Sequence, residues 1–172
     1  ASSPKTIMVF GDSLSAGYGM PTEAGRVALL TQRLQSEFAD YQLINASISG
    51  ETTLGGRNRI EQALEMHRPE IVILELGAND GLRGASIKSI YENLEAIIKI
   101  CQQNNALVLL AGMQLPPNYG ITYTKKFQAI FPQLAEDYPI KLIPFLLAGF
   151  GDKQEFFQAD GIHPNEIAQK EI

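Results

Sequence analysis

A serine, a histidine and an aspartate stand in this sequence at positions that could support nucleophilic catalysis. Ser13 follows Gly11 and Asp12 directly after an apolar run, and Asp160 precedes His163 by three residues. A serine hydroxyl is a weak nucleophile unless a base takes its proton, and histidine suits that role because its pKa lies near neutrality. Asp160 is close enough along the chain to accept the Nδ1–H of His163 and to stabilise the imidazolium. The three residues therefore predict acyl transfer through a serine nucleophile.

The choice of base is narrow, because the sequence contains only two histidines. His67 falls in the last turn of a predicted helix, where the helix dipole favours a cation, and we interpret it as structural. His163 is the remaining candidate and the predicted base.

Two further positions could stabilise the negative oxygen that acyl transfer creates. Gly50 follows the second predicted strand and has no side chain to block a close approach to its N–H. Asn79 follows the third predicted strand and has a carboxamide that can donate. With the N–H of Ser13, they predict an oxyanion hole. Each short motif is also a common turn or cap, but their joint occurrence after successive strands favours a site.

The elements that must position these residues alternate along the chain. Apolar runs predict strands over residues 6–10, 41–46, 71–76, 107–110 and 141–145. Helical periodicity predicts helices over residues 24–40, 54–67, 86–104 and 122–138, with a short final helix from Pro164. Ser86 can cap the third helix, and Cys101 is expected in its core face. This alternation is typical of an α/β fold, a parallel sheet of about five strands with helices on both faces.

In open sheets of this class, ligands bind outside the carboxyl ends of the strands. The winding therefore brings Ser13, Gly50, Asn79 and the Asp160/His163 pair to one edge. The chain has 172 residues, which predicts one domain over residues 1–172 with a sizeable core.

Composition excludes several other classes of protein. One cysteine cannot form an internal disulfide or a cysteine-based zinc site, and two histidines disfavour a multi-histidine metal centre, although a carboxylate-rich site stays formally possible. A net charge of −5 argues against a nucleic-acid partner. The longest apolar stretch, residues 106–111, is too short to span a bilayer. The first residues, Ala-Ser-Ser-Pro, fit a stub left by signal-peptide removal or an artefact of expression.

Longer strings resemble the SGNH, or GDSL, hydrolases, and in particular the bacterial multifunctional thioesterase I, lysophospholipase and arylesterase subgroup. The strings are GDSLSAGYG (11–19), NASISGET (45–52), LELGANDGLRG (74–84), LPPNYG (115–120) and DGIHPN (160–165). The resemblance implies a three-layer flavodoxin-like fold with strand order 2-1-3-4-5. It also implies Ser13, Asp160 and His163 as the triad and Ser13, Gly50 and Asn79 as the oxyanion hole.

The resemblance further implies hydrolysis of carboxylic ester and thioester bonds without a metal or organic cofactor. Small acyl esters, thioesters or lysophospholipids are the expected substrates of a monomeric protein in the periplasm or outside the cell. We expect an apolar acyl groove beside the oxyanion hole, formed by the LPPNYG loop, the segment 81–86 and the start of the first block. Its expected residues are Asp12, Leu14, Gly81, Leu82, Leu115, Pro116 and Tyr119.

Three alternatives stay open at this point. A carbohydrate O-acetyl esterase of the same superfamily would use the same residues. A flavin- or nucleotide-binding module is disfavoured because neither G-x-G-x-x-G nor a P-loop motif is present. A metallophosphoesterase would need more histidines. The chain also stops eight residues after Pro164, where relatives continue with a full closing helix, so the helix is either shortened or continues outside this sequence.

Overall fold

The computed structural model describes residues 5–12 and 41–143, and the elements below are numbered within those ranges. Five strands form one sheet in the order β2-β1-β3-β4-β5, and every pairing is parallel. The strands are β1 (Lys5–Gly11), β2 (Tyr41–Asn45), β3 (Ile71–Glu75), β4 (Leu107–Ala111) and β5 (Lys141–Ile143). The α/β class and the strand order 2-1-3-4-5 are confirmed. The helices predicted over residues 24–40 and from Pro164 lie outside the described residues.

β1 lies between two other strands and is buried on both of its faces. Met8 and Phe10 point to one face, Ile7 and Val9 point to the other, and all four are buried. A strand with no solvent-facing side needs a continuous apolar run instead of an alternating one, which explains the uninterrupted sequence TIMVF.

Three long helices pack on the face of the sheet that carries Met8 and Phe10. They are α1 (Thr53–His67), α3 (Ile87–Gln103) and α4 (Ile121–Asp137), and α3 lies between the other two. The shared core includes Ile60, Leu64, Ile90, Leu94, Ile97, Ile98, Phe127 and Phe131. Cys101 is fully buried in this core, as predicted. His67 is half-buried at the C-terminal end of α1.

The ends of α1 and α3 follow capping chemistry that the sequence contains. The Thr52 hydroxyl accepts the Gly55 N–H at 3.2 Å, and the Ser86 hydroxyl accepts the Ser89 N–H at 3.1 Å. α1 ends at Arg68, whose φ of 44° is left-handed, and a buried Pro69 follows it. The predicted boundaries of both helices are correct to within about two residues.

Two short elements were not predicted. α2 (Ala78–Leu82) begins three residues beyond the last residue of β3, and a single 3₁₀ turn covers Pro117–Tyr119 inside the expected loop. None of the helices in the two described ranges combines the length and apolar content needed to cross a membrane.

Candidate active site

The segments that follow β1, β2 and β3 meet at the carboxyl edge of the sheet. β1 has β2 on one side and β3 on the other, so the chain winds away from β1 in both directions. Such a reversal of strand order leaves a crevice outside the strand ends. Asp12 follows β1, Gly50 follows β2 and Asn79 follows β3. Three of the predicted site segments are therefore brought together.

Gly50 lies in a tight turn whose shape requires a glycine-like backbone. The Glu51 N–H donates to the Ile48 carbonyl at 3.2 Å, and the Ile48 N–H donates to the Gly11 carbonyl at 3.0 Å. Gly50 has a φ of 80°, which is unfavourable for residues with a Cβ. The turn uses the N–H of Glu51 for closure and leaves Gly50 exposed at the edge of the sheet.

Asn79 connects all three segments. It lies in the first turn of α2, which starts after Gly77, a residue with a φ of 125°. The Asn79 Nδ2 donates to the Glu51 carbonyl at 2.9 Å and to Asp12 Oδ2 at 3.4 Å. Its amide therefore lies between the residue that precedes Ser13 and the residue that follows Gly50. The three segments are therefore close to one another at Asn79, and the oxyanion hole itself stays a prediction.

An ion pair supports the turn from the other side. The Arg59 Nε donates to Glu51 Oε2 at 2.6 Å, and the Arg59 guanidinium carbon lies 4.1 Å from the centre of the Phe10 ring. The Glu51 side chain is only 10% exposed, so this pair is screened by solvent less than a surface pair would be. The pair holds Glu51, the residue that directly follows Gly50 and whose carbonyl accepts the Asn79 hydrogen bond.

A second set of buried polar side chains lies next to Asn79, and sequence reasoning missed it. Asp80 accepts both the N–H and the O–H of Thr53, at 2.9 and 2.7 Å. The Asn93 Nδ2 donates to the Thr53 Oγ1 at 3.2 Å, and Arg57 donates to Asn93 Oδ1 at 3.2 Å. One signal was available: Asn93 stands on the otherwise apolar face of α3, and a polar residue there needs a buried partner.

Residues expected in the acyl groove lie in α2 and in the LPPNYG loop that packs against it. Gly81 is buried against Leu115, since a Cβ built on Gly81 would lie 2.8 Å from Leu115 Cδ2. Leu82 and Pro116 are half-buried, Tyr119 is 37% exposed, and Leu115 belongs to the core cluster. Asp12 is fully buried. The structure therefore brings Gly81 and the LPPNYG loop together, and the acyl groove stays a prediction.

Tyr123 fastens the segment after α2 to α4. Its O–H donates to the Ala85 carbonyl at 2.6 Å. Burial and the nearby Asp80 carboxylate both raise the Tyr123 pKa, so the phenol keeps the proton that this hydrogen bond uses.

Four predicted residues lie outside the described ranges: Ser13, Leu14, Asp160 and His163. Asp12, the last described residue before them in the chain's first range, directly precedes Ser13 in the sequence. Their roles remain predictions.

Comparisons with known proteins identify relatives over nearly the whole chain. The model of the GDSL-like lipase/acylhydrolase family matches residues 9–170. The esterase TesA of Pseudomonas aeruginosa is 44% identical over 168 residues, which cover 98% of this chain and 84% of that protein. A thioesterase 1/protease 1/lysophospholipase L1 of Escherichia coli is 41% identical over 169 residues, covering 98% of this chain and 80% of that protein.

A solved structure is also similar over most of its length. The psychrotrophic esterase EstA of a Pseudoalteromonas species, inhibited by monoethylphosphonate, superposes with a TM-score of 0.90 at 44% identity. The match covers 96% of this chain and 91% of that one.

Proposed function

This chain belongs to the GDSL-like lipase/acylhydrolase family, and we propose that it cleaves carboxylic ester and thioester bonds through an acyl-enzyme on Ser13. One observation supports this most strongly. The Asn79 amide bridges the Glu51 carbonyl and Asp12, so that a donor side chain lies between the segment that carries Gly50 and the peptide that leads to Ser13. Hydrolysis of esters and thioesters agrees with the names of its relatives, which include an esterase and a thioesterase.

In the proposed mechanism, Ser13 Oγ attacks the substrate carbonyl carbon while His163 Nε2 takes the hydroxyl proton. Asp160 accepts the Nδ1–H of His163 and stabilises the imidazolium. The carbonyl oxygen becomes negative and binds the N–H groups of Ser13 and Gly50 and the Asn79 amide. Collapse breaks the ester or thioester bond, and His163 returns the proton to the leaving oxygen or sulfur. Water, activated by His163, then releases the acid and restores Ser13.

The 3.4 Å contact between the Asn79 Nδ2 and Asp12 is the part of the site that we expect to change on catalysis. A donor–acceptor distance of 3.4 Å lies beyond the usual range for N–H···O, whereas the contact to Glu51 is a normal hydrogen bond. The N–H directed at Asp12 is thus weakly held and can exchange Asp12 for a developing oxyanion, while the bond to Glu51 keeps the amide in place.

Substrate class is assigned from the residues beside α2. The residues proposed to form the acyl groove are Asp12, Leu14, Gly81, Leu82, Leu115, Pro116 and Tyr119. Apolar contact separates chains that differ by one methylene by only about 1–3 kcal/mol, so broad tolerance of acyl length is expected.

Ser13→Ala tests the nucleophile. We expect a folded protein that hydrolyses neither p-nitrophenyl esters nor an acyl-CoA, and that a fluorophosphonate probe does not label. The wild type serves as the control and should be labelled once, at Ser13, with loss of activity in proportion to labelling. Labelling of the variant at another residue, or retained turnover, would refute the assignment.

A chain-length series tests the substrate class. p-Nitrophenyl esters of increasing length should be run beside one acyl-CoA and one lysophospholipid at matched concentrations. Comparable kcat/KM over several chain lengths is expected; strict preference for acetyl would favour a groove too short for longer acyl chains.

We also propose that residues 1–172 form a single domain, which is consistent with the family match over residues 9–170. We further propose that the protein is a monomer and that it is periplasmic or secreted. Cell fractionation and gel filtration test the last two.

A further inference from the structure

We propose that the two hydrogen bonds from Thr53 to Asp80 form a latch that sets the spacing between Gly50 and Asn79. Gly50 and Asn79 are the two proposed oxyanion donors that lie within the described residues. The inference rests on the proposed function, because it assigns a role in positioning groups for that reaction. Neither Thr53 nor Asp80 would touch substrate. Both are positioning residues that act through their neighbours in the chain.

Thr53 and Asp80 lie close in the sequence to the two proposed donors. Asp80 directly follows Asn79, and Thr53 comes three residues after Gly50. The Thr53 N–H donates to Asp80 Oδ1 at 2.9 Å and the Thr53 O–H donates to Asp80 Oδ2 at 2.7 Å. A two-point link between the segments that carry the donors fixes both their separation and their relative orientation.

Burial shields both hydrogen bonds of the latch from water. Thr53 is fully buried and Asp80 is 6% exposed, so water cannot replace either hydrogen bond easily. Asp80 is also set against the first turn of α1, where the helix dipole favours a negative charge. A buried carboxylate that lost these donors would pay its desolvation cost without compensation. The latch therefore has one strongly preferred geometry.

The hydrogen bonds that Arg57 and Asn93 make behind the latch fix its direction. Arg57 can only donate, so the Asn93 Oδ1 must face it, which turns the Asn93 Nδ2 toward Thr53. The Thr53 oxygen then accepts from Asn93 and its own proton is available for Asp80. Arg57, Asn93, Thr53 and Asp80 form one chain of donors in a single direction. Such chains strengthen each member.

The latch and the Asn79 hydrogen bond connect the same two segments at different places. The Asn79 Nδ2 bond to the Glu51 carbonyl, at 2.9 Å, joins the same two segments at the side that faces the crevice. The latch joins them at the buried side. Without it, the bond that positions the Asn79 amide would have to hold the two segments by itself.

The test combines the isosteric variant with a conservative one. Thr53→Val removes the hydroxyl and keeps the shape, and we expect kcat for a p-nitrophenyl ester to fall about 10- to 100-fold with KM changed by less than about threefold. Thr53→Ser restores the hydroxyl and should bring kcat back to within about threefold of the wild type. Asp80→Asn, which removes the charge that both Thr53 donors bind, should lower kcat in the same way and gives a second route should Thr53→Val fail to fold.

A matched control separates positioning from general stability. Tyr138→Phe removes another hydrogen bond, in which the Tyr138 O–H donates to Glu95 Oε2 at 2.5 Å, away from the carboxyl edge of the sheet. It should lower Tm and leave kcat unchanged. Assays are run well below the Tm of each variant. A Thr53→Val protein with reduced Tm and wild-type kcat would show that the latch is only structural.

A double-mutant cycle tests the route through Asn79. When Asn79 is already alanine, Thr53→Val should cost much less in kcat than it costs in the wild type, because part of what it positions has been removed. Fully additive losses would overturn the inference. An inactive and unlabelled wild-type protein would instead overturn the proposed function, so the two failures are distinguishable.

Discussion

The side-chain amide of Asn79 has two N–H groups, and their hydrogen bonds differ in strength. The contact to the Glu51 carbonyl is 2.9 Å, whereas the contact to Asp12 is 3.4 Å. A hydrogen bond of normal length anchors the group, and a long one can be exchanged at little cost. A preorganised donor of this kind does not have to be reorganised when the negative oxygen forms, which is the source of oxyanion-hole catalysis.

Asn79→Ala should therefore lower kcat by about 10² to 10³ with little change in KM, because the lost interaction is made only in the transition state. Steady-state kinetics with a p-nitrophenyl ester measure it. Asn79→Asp keeps the shape and replaces the donor by an acceptor beside Asp12, so it should be at least as inactive. An unchanged kcat with a raised KM would instead make Asn79 a substrate-binding residue.

Gly50 contributes through its backbone. No atom lies within 4 Å of a Cβ built on it, so space does not demand glycine there. The φ of 80° does demand it, since a residue with a Cβ pays roughly 1–2 kcal/mol in that region. The sequence suggested glycine for close approach to the substrate; the structure adds that the turn itself requires it.

At the scale of elements, α2 is the piece that the sequence pattern could not predict. Ala78–Leu82 is too short for periodicity, and its Asn-Asp-Gly string is equally typical of a turn. Its position depends on contacts with distant residues: Thr53 binds Asp80, and Gly77 and Gly81 pack against α4 and Leu115. The long helices and the strands were predictable because each carries its own apolar pattern, and the Arg57–Asn93–Thr53–Asp80 chain was not, since it joins residues far apart in the sequence.

Gly81→Ala tests how tightly α2 is held. A Cβ there would lie 2.8 Å from Leu115 Cδ2 and 2.9 Å from Phe127 Cε2, and Phe127 is fully buried. Overpacking of this kind costs about 1–3 kcal/mol, which exceeds the gain of up to about 1 kcal/mol from replacing glycine in a helix. The free energy of unfolding, measured in urea, should fall.

Gly84→Ala is the comparison for that variant. Gly84 has a φ of 70° and nothing within 4 Å of its Cβ position, so only the backbone term applies. In a Leu115→Ala background, Gly81→Ala should lower the free energy of unfolding by less than it does in the wild type. The loss caused by Gly84→Ala should be the same in both backgrounds. Equal rescue of both variants would contradict steric packing of α2 against Leu115.

At the scale of the whole molecule, the apolar core and the polar site occupy separate places. The core between the sheet and α1, α3 and α4 contains Cys101, while Asp12, Gly50 and Asn79 lie beyond the strand ends. Burial raises the pKa of the Cys101 thiol from 9.0 to about 12. The thiol therefore remains protonated in the folded protein at pH values where it would ionise in the unfolded chain.

This difference predicts how stability depends on pH. A raised pKa means that the folded state keeps the thiol proton while the unfolded state loses it. The contribution of Cys101 to the free energy of unfolding is therefore complete below pH 9 and declines as pH rises from about 9 toward about 12. Each unit of pH above 9 should remove about 1.4 kcal/mol from the free energy of unfolding.

Cys101→Ala lacks the thiol and supplies the reference, because the tyrosines titrate alike in both proteins. Urea denaturation at pH 8 and pH 10 should show the advantage of the wild type over Cys101→Ala shrinking by about 1.4 kcal/mol. A constant difference between the two proteins would mean that the thiol ionises as easily in the folded core as in the unfolded chain, which its complete burial makes physically unfavourable.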